Sequence, residues 1–465
     1  MKMPLKKITK PLLQKRQTLE LSVSALDEDG FGIGIAETCQ IRVRGALPGE
    51  RVVVRVEHAG QHKVVAALVK VIEAADNRRK PPCSHLPECD GCPLMAMEYP
   101  SQLQWKEARV NNHLRRYQEL DQTVINPVLP SPRQLHYRNS AKLIIGGRFT
   151  EPVIGIYRRE SHDILDIADC PLHHPLINRI VTAVKQGIVK GKIPIYHPRS
   201  GQGLLRYLVV RVAEAENRAM AVLVTAERSY NELHHLAAFI RKAVPEALVV
   251  AQNINPSTGN AILGNRDFFH TKQTTLETSL HGIKFMISPR SFFQVNSGSA
   301  GIIYELIRKY AGLTGKENVL DLYCGIGAIS LFLSSSAKSV HGIEIVDAAV
   351  VDAVLNARIN RLGNCSFEAG DVIEQLQSIV DGRERIDLIV LNPPRKGCEE
   401  KVLQQVVLLQ APRIIYVSCS PASLARDLVT LHAAGYHTEC IQPVDMFPQT
   451  THIESVALLN LHQPG

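Results

Sequence analysis

Two residues near the C-terminus could form and break a covalent bond. Cys419 ends an apolar run, and the Ser-Pro that follows it would start a helix. A helix N-terminus can lower a thiol pKa, so Cys419 could supply a thiolate nucleophile, although an isolated cysteine at a strand end is more often a buried structural residue. Glu454 opens the last apolar run, an unusual place for a charge without a role, and His452 is an alternative base. A cysteine and a carboxylate are the residue types that nucleophilic catalysis assisted by a general base requires.

A glycine turn that could bind a nucleoside follows an earlier apolar run. Residues 321–327 are Asp-Leu-Tyr-Cys-Gly-Ile-Gly, and such glycines let a ligand approach the backbone at a helix N-terminus. Glu344 ends the next apolar run, where a carboxylate can bind both ribose hydroxyls. The pattern lacks the three glycines of dinucleotide sites and resembles the adenosylmethionine site of class I methyltransferases. Asn392 begins an Asn-Pro-Pro-Arg motif that is also compatible with methylation of an exocyclic amine.

Four cysteines have the spacing of metal ligands. Cys83, Cys89 and Cys92 are close in sequence, and Cys170 follows about eighty residues later. Four thiolates suit tetrahedral zinc or an iron–sulfur cluster, and His85 leaves a mixed Cys-His zinc site open. Spacing alone slightly favours zinc. The remaining cysteines apart from Cys419 are expected to be structural; these are Cys39, Cys324, Cys365, Cys398 and Cys440.

Composition predicts a water-soluble protein of several domains. The chain has 465 residues, about three domains' worth, and no apolar run reaches the roughly 18 residues of a membrane helix. A formal net charge of +8 suits a polyanionic partner such as nucleic acid. The N-terminal segment is basic without a following apolar stretch, so we expect no secretion and no membrane attachment, and a cytoplasmic location. Its cations are Lys2, Lys6, Lys7, Lys10, Lys15 and Arg16.

Three patterns of secondary structure follow one another along the chain. Residues 17–75 alternate with the strand period, with turns at Asp29-Gly30 and Pro48-Gly49, and predict a small β-barrel. Residues 97–118 have helical spacing, and strand-like runs occupy about 131–285. From about residue 286 strands and helices alternate, which predicts a parallel sheet with its ligand beyond the carboxyl ends of the strands.

The run 418–427, Ser-Cys-Ser-Pro-Ala-Ser-Leu-Ala-Arg-Asp, resembles the nucleophile motif of RNA uracil-5-methyltransferases. Residues 445–456 and the cysteine spacing are further points of similarity. The chain therefore resembles the bacterial 23S ribosomal RNA members of that family along nearly its whole length. The resemblance implies that Cys419 is the nucleophile and Glu454 the base. It also implies a [4Fe-4S] cluster on the four cysteines. S-adenosylmethionine is the expected methyl donor, with these expected contacts: Gln294, Tyr323, Glu344, Asn392 and, by class analogy, Asp371.

The resemblance also implies a fold and a substrate. The expected fold is multidomain: an N-terminal TRAM or OB-like β-barrel (17–75) that binds RNA, a central α+β domain with the cluster and an RNA-binding surface (76–285), and a C-terminal α/β, Rossmann-like class I methyltransferase domain (286–465). The expected reaction methylates carbon 5 of a uridine in 23S rRNA, by a monomer. Alternatives are a tRNA uracil-5-methyltransferase, which the cysteines and barrel disfavour, and a noncatalytic RNA-binding or ribosome assembly factor, which Cys419 and Glu454 disfavour. Many relatives have Asp where this chain has Asn392.

Overall fold

A computed structural model describes residues 13–36, 39–60, 64–86, 88–158 and 161–462. The cations Lys2, Lys6, Lys7 and Lys10 therefore lie outside the described residues. The chain divides into two compact units. The first comprises residues 1–106 and 447–451, and the second comprises residues 107–446 and 452–465.

The first unit contains a closed five-stranded barrel, as the strand-period alternation predicts. Its strands have the order β1-β2-β3-β5-β4, and β4 closes the barrel by pairing with β1. Inward residues such as Leu21, Val23 and Val54 are buried, because successive side chains alternate between the two faces of a strand. Gly30 and Gly49 have positive φ in the predicted turns. The strands are β1 (Thr18–Leu26), β2 (Gly32–Ala36), β3 (Cys39–Arg44), β4 (Arg51–Ala59) and β5 (Val64–Glu73).

The helix predicted over 97–118 is α1, Tyr99–Leu114, and the residues beyond it form a 3-10 turn at Gln118–Leu120. Gln102 on α1 is buried, and its side-chain nitrogen donates to the side-chain oxygen of Gln449 at 2.9 Å. Arg79 also donates to that oxygen, at 2.6 Å. Residues 447–451 thus join the first unit through buried polar contacts.

The second unit contains a seven-stranded sheet of order β13-β12-β11-β10-β7-β8-β9. Helices α2 (Pro175–Gly191) and α3 (Asn231–Ala243) pack on one face through a continuous apolar core. The strand patterns do not predict these helices, whose amphipathic faces are buried by tertiary packing. The strands are β7 (Ser140–Arg148), β8 (Glu151–Tyr157), β9 (Ile164–Asp166), β10 (Leu205–Ala213), β11 (Arg218–Thr225), β12 (Ala247–Ile254) and β13 (Arg266–Phe269).

An eight-stranded sheet forms the rest of the second unit, beside the hairpin β14 (Leu276–Leu280) and β15 (Ile283–Ile287). Its order is β18-β17-β16-β19-β20-β22-β21-β6, so the strand order reverses between β16 and β19. Such a reversal opens a crevice at the carboxyl ends of the strands. The strands are β6 (Val124–Ile125), β16 (Asn318–Leu322), β17 (Ser339–Glu344), β18 (Cys365–Ala369), β19 (Leu388–Leu391), β20 (Arg413–Ser418), β21 (Tyr436–Val444) and β22 (Glu454–Leu461).

Helices connect the strands of this sheet, as the alternation in the sequence predicts. They are α4 (Ser297–Ala311), α5 (Ala328–Ser334), α6 (Asp347–Ile359), α7 (Val372–Asp381), α8 (Glu400–Leu408) and α9 (Pro421–Ala433). Within the described ranges, no helix is both long and apolar enough to span a membrane.

Candidate active site

The glycine turn after β16 lies on one side of the crevice. Tyr323, Gly325 and Gly327 all have positive φ, between 57° and 78°, a conformation that glycine adopts at little cost. A side chain added at Gly325 would meet no atom within 4 Å, so the space in front of this turn is open. The backbone amide of Asn392 donates to the carbonyl of Leu322 at 3.3 Å, which ties the Asn-Pro-Pro-Arg segment to the glycine turn.

Glu344 and Asp321 place two carboxyl groups beside this turn. The Glu344 carboxylate accepts from the amides of Gly325 and Val346, both at 3.0 Å. Burial raises the pKa of Asp321 to about 7, although the hydroxyl of Ser330 donates to Oδ2 at 2.5 Å. The other oxygen, Oδ1, is buried and has no hydrogen-bond partner in the described part of the chain. That oxygen is a free acceptor at the edge of the crevice.

The structure places the remaining candidate donor contacts around the same edge. Asp371 caps α7 directly after β18, accepting from the amide of Ile373 at 2.8 Å. Burial raises the pKa of the Tyr323 phenol, and the nearby Cys398 thiol, Glu399 and Asp371 add to that shift. The Asp371 carboxylate is therefore near enough to Tyr323 for its charge to raise the pKa of the phenol.

Gln294 lies half-buried in the loop before α4. The side-chain amide of Asn139 donates to the backbone carbonyl of Gln294 at 2.9 Å, and the backbone amide of Asn139 donates to the carbonyl of Val295. The loop that carries Gln294 is thus positioned by the start of β7.

Strand pairing brings Cys419 and Glu454 together. β22 runs antiparallel to β20, with Ser418 opposite Ser455. The residue after β20 and the first residue of β22 therefore lie side by side at the same edge of the sheet. Cys419 is half-buried and Glu454 is 8% exposed. Cys419 and Glu454 are far apart in sequence, and the register of the β20–β22 pair places them next to each other.

Burial dominates the electrostatics of this pair. It raises the pKa of Glu454 to about 8, opposed by the charge of Arg395. It also raises the pKa of the Cys419 thiol; Glu454 adds to the rise, and Arg395 opposes it by charge and by a hydrogen bond. The expected lowering of this pKa by the N-terminus of α9 is wrong, because the pKa of Cys419 is raised. Cys419 precedes the N-cap residue Ser420, whose side chain already accepts from the helix amide of Ser423.

Arg395 is a site residue that the sequence reasoning did not assign. Its positive charge opposes the rise in the pKa of the Cys419 thiol, and its Nη2 lies 3.2 Å from Nε2 of His452. Because a guanidinium only donates, Nε2 of His452 is the acceptor, which occupies the lone pair that a base would need. This disfavours His452 as the alternative base. The Asn-Pro-Pro-Arg motif contained the signal, but the arginine's neighbours depend on tertiary structure.

The four candidate metal ligands fall into the two units. Cys83, Cys89 and Cys92 belong to the first, and Cys170 to the second. Cys92 is buried, and the other three are partly buried. Burial raises the pKa of Cys89, and the nearby Cys83 thiol contributes to that rise. Among the described residues, no group of three or more His, Cys, Asp or Glu side chains is arranged to hold a metal ion.

Comparison with known proteins agrees with this geometry. Residues 98–462 match the family model "tRNA (Uracil-5-)-methyltransferase". The chain is 57% identical over 450 residues to an uncharacterized RNA methyltransferase of Geobacter sulfurreducens, covering 97% of this chain and 91% of that protein. It is 36% identical over 440 residues to one of Caldanaerobacter subterraneus, covering 95% and 97%.

A solved structure matches nearly the whole chain. The Pyrococcus abyssi tRNA (uracil-54, C5)-methyltransferase in complex with S-adenosyl-L-homocysteine superposes with a TM-score of 0.75 and 25% sequence identity, covering 95% of this chain and 100% of that one. The α/β sheet, its switch-point crevice and this match define a methyltransferase fold. The chain belongs to the tRNA (uracil-5-)-methyltransferase family, the RNA uracil-5-methyltransferases.

Proposed function

We propose that this protein transfers a methyl group from S-adenosylmethionine to carbon 5 of a uridine in RNA, with Cys419 as nucleophile and Glu454 as base. The observation that carries the proposal is the pairing of Ser418 with Ser455, which sets a thiol beside a buried carboxyl at the crevice edge. Methylation of an exocyclic amine needs no thiol nucleophile, so this pair favours carbon 5.

The crevice at the switch point fits the donor. Gly325 leaves open space, Glu344 offers a carboxylate to a ribose, and Oδ1 of Asp321 offers a buried free acceptor. The bound donor supplies an electrophilic methyl group on a sulfonium. We assign its contacts to Gln294, Tyr323, Glu344, Asp371 and Asn392.

The thiol and the carboxyl act in sequence on the uracil ring. The Cys419 thiolate adds to carbon 6, and the electrons of the 5,6 double bond move toward carbon 5 and the carbonyl at carbon 4. Carbon 5 then has the nucleophilicity to take the methyl group. Glu454 removes the proton from carbon 5, the double bond re-forms, and the carbon–sulfur bond breaks to return the thiolate.

We propose 23S ribosomal RNA as the substrate, supported by the resemblance of the nucleophile motif and the cysteine spacing. The second candidate is tRNA, favoured by the whole-chain match to a tRNA (uracil-54, C5)-methyltransferase. Because that match covers 95% of this chain, the overall architecture does not separate the two substrates. The N-terminal barrel is the proposed TRAM module, which would bind RNA on its surface.

The remaining proposals concern organisation. We propose that Cys83, Cys89, Cys92 and Cys170 bind a [4Fe-4S] cluster of structural role, supported by the spacing of the four cysteines and by the electrostatic effect of Cys83 on the pKa of Cys89. We also propose a cytoplasmic monomer with a barrel over 17–75, a central domain over 76–285 and a methyltransferase domain over 286–465.

Metal analysis tests the proposed cluster. Anaerobic purification should yield iron and acid-labile sulfide that a Cys89→Ser variant lacks and a Cys39→Ser control retains. Metal-free wild-type protein, or zinc in place of iron, would contradict the cluster.

Two transcripts test the function and the substrate together. Unmodified 23S rRNA and a pool of unmodified tRNA, each labelled with tritium at carbon 5 of uracil, are incubated with protein and donor. We expect tritium release and 5-methyluridine in the 23S transcript. Release from tRNA alone would establish the second candidate, and methylation without tritium release would overturn carbon 5 as the target.

A further inference from the structure

A row of polar side chains on α6 and at its C-cap is hydrogen-bonded along one edge of the β14–β15 hairpin. The three residues of this polar row, Asp352, Asn356 and Asn360, are spaced four apart and therefore lie on one face of the helix. Their side-chain oxygens accept from three alternate backbone amides of the hairpin. The pairs are Asp352 with Ser288 at 3.3 Å, Asn356 with Met286 at 2.7 Å and Asn360 with Lys284 at 2.9 Å.

The geometry of a helix and a strand explains why the polar row and β15 stay in register. Four helical residues rise about 6 Å, and two strand residues rise about 6.6 Å. Among the described strands, β15 pairs with β14 alone, so the amides at its other edge need partners of another kind. The polar row supplies those partners and attaches the hairpin to α6.

Asn356 is the member of the polar row that also bonds to the glycine turn. It is 0% exposed, and its Nδ2 donates to the backbone carbonyl of Ile326 at 3.3 Å. Ile326 lies between Gly325 and Gly327, both of which have positive φ. A backbone amide can only donate and a carbonyl can only accept, so its two partners fix the orientation of the Asn356 amide. This one side chain therefore joins the edge of β15 to the glycine turn.

Apolar packing holds the same three elements together. Phe285 and Ile287 of β15, Ala357 of α6 and Ile326 of the glycine turn belong to one cluster of buried side chains. Asn356 makes its two bonds beside this cluster. Because the surroundings are apolar and closed to water, a carbonyl that lost its partner there would be costly.

Asp352 extends the polar row to a second segment of the proposed methyl-donor site. Its carboxylate, 5% exposed, also accepts from the hydroxyl of Ser291, which lies 2.6 Å from the hydroxyl of Ser288. Ser291 precedes Gln294 by three residues in the loop before α4. Neighbouring members of the polar row thus bond to both segments, the Gln294 loop and the glycine turn.

We propose that Asn356 is a positioning residue for the methyl donor, which holds the glycine turn in its binding conformation by joining Ile326 to the edge of β15. The inference rests on the proposed function, because it takes the glycine turn as part of the methyl-donor site. Asn360 is a matched comparison with the same side chain on the same helix face. Its bonds go to the amide and carbonyl of Lys284 and to the carbonyl of Asn356, in the hairpin and the helix.

Calorimetry with S-adenosylhomocysteine tests this role on the full-length protein, below the unfolding transition of each variant. We expect Asn356→Ala to weaken binding about tenfold, because the Ile326 carbonyl loses its partner. Asn360→Ala should bind like wild type, although both variants should have lower thermal midpoints. Asn356→Asp at pH 5.5, where a protonated carboxyl can donate to Ile326 and accept from Met286, should restore part of the affinity. A purely structural role would lower the thermal midpoint without changing the affinity.

Hydrogen exchange of the wild-type protein gives a second measurement that needs no variant. By reciprocity, bound S-adenosylhomocysteine should slow exchange of the Met286 amide by up to about tenfold and leave the Lys284 amide unchanged. Equal slowing at both amides, or none at either, would overturn the proposal. Wild-type affinity in Asn356→Ala, or an equal loss in Asn360→Ala, would also overturn it. Wild-type protein that binds S-adenosylhomocysteine but methylates no uracil would refute the proposed reaction and leave the role of Asn356 measurable.

Discussion

In the parallel part of the eight-stranded sheet, from β16 to β18, backbone amides make the polar contacts of the crevice, whereas between β20 and β22 ionisable side chains make them. Glu344 is fixed by two amides at 3.0 Å. Glu454 has its pKa raised to about 8 by burial and depends on Arg395 for charge. The proposed donor part of the crevice, from β16 to β18, is thus positioned by backbone turns. The proposed acceptor part, between β20 and β22, depends on the balance of three side-chain charges.

The largest expected effect comes from the acceptor part. Cys419→Ala should reduce methyl transfer by at least about 10⁴-fold, because no other thiol replaces the nucleophile. Affinity for S-adenosylhomocysteine, measured by calorimetry, should stay unchanged, since the proposed donor contacts lie outside β20 and β22. Cys440→Ala, a half-buried thiol on β21 of the same sheet, is the control and should retain activity. Equal activity of the two variants would remove Cys419 from the chemistry.

Glu454→Gln should separate the two chemical steps. Loss of the base should slow turnover by about 10²–10⁴-fold while carbon 6 addition continues, so a protein–RNA adduct should accumulate on a denaturing gel. Glu439→Gln, an exposed glutamate on β21, should turn over normally. Loss of both turnover and adduct in Glu454→Gln would instead assign this carboxyl to the addition step.

Glu344→Gln addresses the donor part. An amide side chain can accept at one oxygen only, so one of the two backbone contacts is lost, and a ribose loses a carboxylate partner. We expect donor affinity to fall about tenfold by calorimetry, with the pH midpoint for iodoacetamide alkylation of the Cys419 thiol unchanged. Glu368→Gln, an exposed glutamate on β18, should bind the donor like wild type. A shifted thiol midpoint in Glu344→Gln would mean that the two parts are not independent.

The smallest expected effect is on stability. Glu454 has a folded pKa near 8 against an ordinary value of 4.5, so the folded protein keeps a proton that the unfolded chain loses. Stability is then lost as pH rises from 4.5 through 8, because ionised Glu454 is buried. Glu454→Gln should raise the thermal midpoint by about 2–4 °C near pH 9 and leave it unchanged near pH 4.5. A variant less stable at both pH values would show that the carboxylate is favourably paired.

The same contrast explains which parts of the molecule the sequence predicts. Turn chemistry is local, so the glycine turn at 323–327, the barrel turns at Gly30 and Gly49, and the strands around them follow from short patterns. The position of Glu454 beside Cys419 follows from an antiparallel register that no local pattern specifies. The rise in the Cys419 pKa depends on burial by distant segments, and the opposing charge of Arg395 comes from another part of the chain.

Helices α2 and α3 lie within the stretch that the sequence analysis describes by its strand-like runs. The buried residues of α2, among them Ile177, Ile180 and Val184, have helical spacing and pack on the seven-stranded sheet. The strands of that sheet, β7 and β10, are predicted from their own β-branched runs, including residues 142–145 and 208–212. The strands of this sheet and the helix α2 that covers it therefore both have a local signal in the sequence, whereas their packing against each other does not.

Trapping the covalent intermediate tests the central claim most directly. Protein is incubated with donor and a 23S transcript that contains 5-fluorouracil, whose fluorine cannot leave carbon 5 as a proton, and the digest is sequenced by mass spectrometry. The account predicts one nucleotide attached to the peptide that contains Cys419, with a methyl group already on carbon 5. A nucleotide attached to another residue, or no adduct from protein that binds the donor, would contradict it.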